Sequence, residues 1–316
     1  MSAPAAYLAV ALIWSTTPLA VKWSAEGAGF LLGAVARMGL AAVFCLALAR
    51  GLRIRLPFDR AARRTYAAAS IAVYGAMLCV YWASQYVPSG LIAVLFGLTP
   101  FVTALFARWL LDERGLTPTK AGGQMLGLLG LVLIFHEGSL LGPRAAEGIA
   151  VLLFGIAINA LSLVLVKRAG GGLAPLSVTT GALVYAAPLF LATWLVFDGR
   201  APAEVSVPAL WSILYLGLVA SALGFTLFYY LLKRAPAGAV ALLTLVSPVL
   251  ALLLGHVVDG EPVTAAVWSG TALVLGGLAV HQWGAHLPAL VRAAVDRAGA
   301  RRREAPGAEA SGRHRE

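Results

Sequence analysis

From Gly90 to Glu113 the chain reads GLIAVLFGLTPFVTALFARWLLDE, and from Gly238 to Glu261 it reads GAVALLTLVSPVLALLLGHVVDGE. A constant offset of 148 residues sets Gly90 on Gly238, Ala93 on Ala241, Leu95 on Leu243, Thr99 on Ser247, Pro100 on Pro248, Leu105 on Leu253 and Glu113 on Glu261. Just upstream, Tyr81 falls on Tyr229, Trp82 on Tyr230 and Pro88 on Pro236. Near the start of each half, Pro18–Lys22 echoes Leu163–Lys167 at an offset of 145. The chain is an internal duplication, and each copy carries a proline inside a long apolar run.

Those runs identify the solvent. The 316 residues are 60% hydrophobic and only 12% charged, against about a quarter charged in a soluble domain. The mean hydropathy is +0.85. Between Arg64 and Arg108 there are 43 residues without Asp, Glu, Lys or Arg, and between Arg234 and Asp259 another 24. About 20 apolar residues suffice for a helix to cross a bilayer. The expected fold class is an all-α polytopic membrane protein. The start, MSAPAAYLAVALIW, lacks a basic n-region, so the first run reads as a permanent span rather than a cleaved signal. Cys45 and Cys79 lie in apolar segments, and the five histidines are scattered, so no disulfide, metal site or cofactor is expected.

Turn residues and charges divide the chain into ten apolar segments: 4–22, 29–49, 66–86, 89–110, 121–136, 147–166, 175–196, 208–232, 236–257 and 264–284. Val87-Pro88-Ser89-Gly90 splits the longest uncharged stretch into a helical hairpin. With the N-terminus in the cytoplasm, 20 of the 24 basic residues fall on cytoplasmic connections and the tail; the exceptions are Lys22, Arg37, Arg144 and Arg200. The positive-inside rule therefore predicts N-in and C-in. The net charge of +10 is explained by topology and by attraction to anionic membrane lipids, and no nucleic acid partner is needed. The tail from His286 to Glu316 reads as a short interfacial helix followed by disorder.

Five spans per copy is an odd number, so the second copy enters the membrane the other way up. The expected organisation is a first repeat over 1–140, a second over 141–285 and a basic cytoplasmic tail over 286–316. Two inverted halves support two equivalent conformations, one open to each side, around a site near the midplane. This is the architecture of a secondary transporter for a small-molecule solute.

The chain resembles the drug/metabolite transporter superfamily, EamA type. The residues that carry the resemblance are Trp14, Pro18 and Lys22 in the first span, Arg37 in the second, and the doubled Gly-x-x-Ala…Pro…Glu pattern. The Gly-rich last span of each half (Gly122, Gly123, Gly127 and Gly130; Gly270, Gly276 and Gly277) matches as well, and the resemblance covers roughly residues 5–284. It implies ten transmembrane helices in two inverted five-helix repeats, and secondary transport of small organic metabolites, often outward. It leaves the solute open.

Pro100 and Pro248 each remove a backbone donor, freeing the carbonyls of Phe96 and Thr244. In a bilayer such groups must meet protein or a polar cavity. With Thr99 and Ser247 beside them, the two prolines are expected to mark two broken walls of one site. Tyr74, Tyr81 and Gln85 are spaced to share one face of span 3. Thr226 and Tyr229, with Tyr230 beside them, form the related face of span 8. An aromatic belt at the interface fits Tyr86 and Tyr215 at least as well as a cavity does, and Tyr74 and Tyr81 less so. Trp14 and Asn159, equivalent positions in spans 1 and 6, complete the candidates.

Arg37 is the one charge deep in a span, 11 residues from Glu26 and 13 from Arg50. A central arginine costs about 2.5–3.5 kcal/mol on insertion scales, so it is expected to face protein or water. Two roles fit: binding a carboxylate or phosphate of the solute, or tying helix ends together through backbone carbonyls. Lys22 and Lys167 are expected to flank their helices and snorkel, and Glu113 and Glu261 to cap or brace helix ends. No acidic residue sits mid-span, which argues against cation exchange and favours neutral, zwitterionic or anionic solutes. The reading is a permease of the bacterial cytoplasmic membrane, exporting amino acids or related amphiphilic compounds. The alternatives are a carrier for nucleosides, vitamins or carboxylates, or a flippase for lipid-linked head groups. A membrane-embedded enzyme lacks the His, Asp or Glu cluster it would need.

Overall fold

The computed structural model describes residues 3–112, 118–137, 143–169, 172–200, 202–234 and 237–284. Among these residues every regular element is helical. Helix α1 runs Ala3–Ala28 and α2 Phe30–Gly51. The single residue between them, Gly29, has φ +81, a backbone state in which an L side chain is strained. Helix α3, Arg60–Ala83, is capped by the Asp59 carboxylate, which accepts from the backbone N–H groups of Ala61 and Ala62. It contains a π-helical segment at Ala72–Ala76.

Helix α4, Ser89–Leu111, is interrupted: Ser89–Phe96 ends at Gly97, and Thr99–Leu111 starts afresh. Helices α5 (Pro118–Glu137), α6 (Ala145–Ala169) and α7 (Pro175–Phe197) follow. Helix α8 is built from Val207–Tyr215, a π segment at Leu216–Leu223, and Gly224–Arg234. Helices α9 (Ala237–Asp259) and α10 (Ala265–Trp283) complete the described chain, with Thr264 Oγ1 accepting from Val267 N–H at the start of α10. The tail, Glu113 and Pro236 lie outside the described residues.

Seven of these helices are long and apolar enough to cross a membrane: α1, α2, α3, α4, α6, α7 and α8. The apolar stretches 121–134, 246–259 and 265–281 in α5, α9 and α10 are shorter. Large apolar side chains point outward along many helices, among them Leu8, Val43, Phe154, Val196 and Trp211. Water would not tolerate so many, and a hydrocarbon solvent does.

The interior belongs to small and aromatic residues. Met38, Ala41 and Cys45 of α2, Tyr81 of α3 and Phe190 of α7 are fully enclosed in one apolar core that joins most of the helices. Helices α5 and α10 approach most closely, because glycines line both. A Cβ on Gly123 would lie 2.5 Å from the Gly277 carbonyl oxygen, and one on Gly277 would lie 2.5 Å from the Gly123 oxygen. One step along, Gly130 meets the Gly270 oxygen at 2.6 Å and Gly270 meets that of Gly130 at 2.8 Å, measured the same way. Pairing 123 with 277 and 130 with 270 makes the two helices antiparallel. Backbones this close gain dispersion contact that bulkier residues forbid.

The two prolines behave differently from each other. Pro100 begins the second half of a broken α4, where Gly97 and Leu98 N–H turn to Val94 and Leu95 carbonyls in three-residue steps. Pro248 is buried inside an α9 that continues through it. The expectation of two broken walls is therefore corrected to one. Gly97 sits at the break and its counterpart is Leu245, so only the first copy has both a glycine and a proline to end the helix.

Candidate functional site

Arg37 is the eighth residue of the 22 in α2, nearer the Gly29 turn than the middle of the helix. It is 1% exposed, the largest fully buried side chain described. Its Nε donates to Ser221 Oγ at 2.8 Å, and its Cζ lies 5.9 Å from the Tyr81 ring centroid. Nη1 is buried without a hydrogen-bond partner. One hydroxyl and the face of one ring offset only part of what it costs to desolvate a guanidinium, several kcal/mol even after relaxation.

The surroundings are set by local helix geometry. Ser221 belongs to the π segment of α8, and π turns carry an extra residue that redirects side chains. The Tyr81 hydroxyl lies 3.5 Å from Ser24 Oγ of α1. Tyr215 of α8 shares a short hydrogen bond with Thr16 of α1 and so points inward; the belt reading does not hold for it. Tyr86 does sit at a helix end, beneath Arg144, whose Nη1 donates to its hydroxyl at 2.8 Å.

A second group of candidates meets where α1, α8 and α9 converge. Trp14 packs on Phe228 with ring centroids 4.8 Å apart, and Phe228 lies 5.9 Å from Tyr229. Trp14 and Tyr230 both border the small core of Ala6, Val10, Ala11, Leu227, Leu231 and Leu243. Ser247 Oγ donates to the Ala11 carbonyl at 3.4 Å, and buried Pro248 follows it.

The remaining candidates are dispersed. Tyr74, inside the π segment of α3, shares a 2.6 Å hydrogen bond with Thr193 and packs edge-on to Phe190, both of α7. Gln85 is exposed and donates to the Trp82 carbonyl at 3.1 Å. Tyr74, Tyr81 and Gln85 thus do not share one environment, because the π turn shifts the helical register between the first and the others by about one residue. Thr226 Oγ1 donates to the Ala222 carbonyl at 2.7 Å and approaches Thr179 of α7. Asn159 is half-buried in α6. Thr99 is buried with its Oγ1 unpartnered, and Pro100 beside it is half-buried.

At one end of the bundle lies an ionic cluster that the sequence reading missed. Lys22 Nζ is 2.5 Å from Asp259 Oδ2 and 3.0 Å from Glu261 Oε1. Trp23 Nε1 donates to Asp259 Oδ1 at 2.8 Å. Glu261, 4% exposed, also accepts from Ser89 N–H at 2.8 Å, Ser89 Oγ at 3.0 Å and Gly90 N–H at 3.1 Å. A carboxylate on the first N–H groups of α4 answers both their unmet hydrogen bonds and the positive end of the helix dipole. Glu261 therefore braces as expected, but Lys22 does not snorkel. Helix α1 continues to Ala28, which keeps Lys22 within the helix and facing α9. The overlooked signal was Asp259, two residues before Glu261 and at the same end of the bundle as Lys22 under the charge-derived topology.

Comparison with known proteins agrees with this architecture. The profile of the EamA-like transporter family matches residues 1–136 and again 146–281. The chain is 26% identical over 278 residues to "Uncharacterized transporter YoaV" of Bacillus subtilis, covering 86% of this chain and 93% of that protein. It is 27% identical over 270 residues to a "Probable terminal-alkyne amino-acid exporter" of Streptantibioticus cattleyicolor, covering 84% and 88%. A solved crystal structure shares the fold with a TM-score of 0.63 at 22% identity, over 89% of this chain and 97% of that one. With both halves matched by one family profile, several helices apolar enough to span a bilayer and a core closed around a buried arginine, the protein is a multi-pass membrane transporter that belongs to the EamA-like transporter family.

Proposed function

We propose that the protein is a secondary transporter of the bacterial cytoplasmic membrane that exports amino acids or related amphiphilic metabolites by alternating access. In this reading ten helices form two inverted five-helix repeats, with both termini in the cytoplasm. The observation that carries the mechanism is the reciprocal contact of α5 and α10. Gly123 and Gly270 are equivalent positions of the two copies, as are Gly130 and Gly277, each at an offset of 147. The 123–277 and 130–270 approaches therefore exchange under a twofold operation, which supports inversion and gives the repeats a smooth seam.

The ionic cluster supports one of the two closed ends. Lys22, Asp259, Glu261 and Ser89 hold α1, α9 and α4 together at the end that N-in topology puts outside. Opening to that side separates these helices and breaks the pairs. Lys167 and Glu113 occupy the equivalent positions of Lys22 and Glu261 at the opposite end. Leu111 stands where the second copy has Asp259, and the first copy carries its aspartate one position later, at Asp112 beside Glu113, so the two ends differ in the placement of the carboxylates rather than in their number.

The amino-acid assignment draws support from the exporter named among the relatives and from the absence of mid-span carboxylates. The test is metabolite profiling of medium and cytosol from cells producing the wild type or Lys22→Met. An amino acid or close derivative that accumulates outside with the wild type alone meets the expectation. A nucleoside, vitamin or sugar in its place removes the amino-acid assignment and keeps transport.

A further inference from the structure

Arg37 is a buried cation that no acidic side chain among the described residues balances. Helices α1, α3, α7 and α8 pack around α2, and their described residues hold one acidic side chain inside a helix, Glu26. Glu26 interacts with Lys22, Asp259 and Glu261 at the end of the bundle. No ion pair joins Arg37 to an acid among the described residues. The guanidinium is nonetheless held in one orientation, by Ser221 on Nε and the Tyr81 face at 5.9 Å, while Nη1 is aimed at no acceptor.

A guanidinium offers five donors in a planar fork, and two of them match the two oxygens of a carboxylate. With Ser221 engaging Nε, the terminal nitrogens remain for that match. We propose that Arg37 is the carboxylate anchor of the transport site, so that the solute class is small organic acids and zwitterions whose carboxylate pairs with its terminal nitrogens when the site opens. Ser221 and Tyr81 are positioning residues: one fixes the fork through Nε, and the other presents a ring face that tolerates the cation. The position has no counterpart charge in the second copy, where residues 182–185 read Ala-Leu-Val-Tyr. A single anchor off the pseudo-twofold axis suits a solute with one charged end. This inference deepens the transport reading and rests on it.

The test is thermal unfolding of the purified full-length chain in detergent, titrated with L-leucine, L-phenylalanine, leucinamide, phenylalaninamide, succinate and uridine. The wild type is expected to be stabilised by at least one carboxylate probe and not by its amide. Arg37→Gln is expected to weaken that binding about 10- to 100-fold, the loss for a charge-assisted hydrogen-bonded pair, with Arg37→Lys between the two. If Arg37→Gln does not fold, Ser221→Ala keeps the charge, removes the acceptor that fixes the fork through Nε, and is expected to weaken the carboxylate probe several-fold. An amide that binds as well as its acid overturns the anchor. So does an Arg37→Gln chain with unchanged affinity, or a wild type that responds to none of the carboxylates. Stabilisation by succinate alone keeps the anchor and removes the amino-acid assignment. Stabilisation by uridine alone removes the anchor and leaves transport standing.

Discussion

Lys22 Nζ lies 2.5 Å from Asp259 Oδ2, joining α1, six residues before its last residue, to the end of α9 across 237 residues of sequence. Both side chains are about one-fifth exposed, so the pair is screened less than a surface pair and desolvated less than a core one. Lys22→Met leaves Asp259 and Glu261 as neighbouring carboxylates without a cation. The expected cost is about 1–3 kcal/mol, between those two limits. A double-mutant cycle with Asp259→Asn, read by thermal unfolding, is expected to give a coupling of about 1 kcal/mol. Additive effects would remove the latch.

Glu261 holds the start of α4 through Ser89 and Gly90. Glu261→Ala strips three acceptor contacts from a buried helix end and leaves Lys22 with one partner. A loss of about 2–4 kcal/mol is expected, as for a buried charge-assisted cap. Glu261→Gln retains an acceptor and is expected to lose less. Equal loss for the two substitutions would mean that packing rather than hydrogen bonding fixes the residue.

The α5–α10 seam predicts that size matters more than polarity. Gly123→Leu or Gly277→Leu drives carbon into the facing backbone and is expected to cost about 1–3 kcal/mol, or to force the helices apart. Gly122→Leu, on the same helix with nothing within 4 Å of its Cβ direction, is expected to be neutral. Unfolding temperatures of the three variants check this, and equal destabilisation would contradict the seam.

The break in α4 can be healed. Pro100→Ala restores a backbone donor in the turn where Gly97 and Leu98 now make three-residue hydrogen bonds. The variant is expected to keep or raise its unfolding temperature while transporting more slowly, because the break lets the two halves of α4 move separately. Wild-type transport by an equally stable variant would make the break incidental.

Much of this architecture is legible because lipid imposes simple rules. The segment 175–196 became Pro175–Phe197, and 29–49 became Phe30–Gly51, since a proline, a glycine or a charge stands at each edge. The Gly123 and Gly277 contacts follow from small residues recurring at a fixed offset. The site was harder. Tyr74 and Tyr81 share a face in an ideal helix, but the π segment at Ala72–Ala76 sends them to different neighbours, and no residue type announces a π turn. Lys22 was misread because its partners are distant in sequence, and only the packing of α1 on α9 brings them together. Pro100 and Pro248 look alike in sequence, yet only the first, three residues after Gly97, lies at a helix break.

The most direct test of alternating access is to lock the latch shut. In a variant lacking Cys45 and Cys79, cysteines replacing Lys22 and Asp259 would be joined by a short bis-methanethiosulfonate linker in proteoliposomes. Counterflow of the solute identified by metabolite profiling would then be measured before and after reduction. The account predicts that linkage abolishes exchange and that reductant restores it. Undiminished exchange through the linked protein would contradict it, because this end of the bundle would then not need to open.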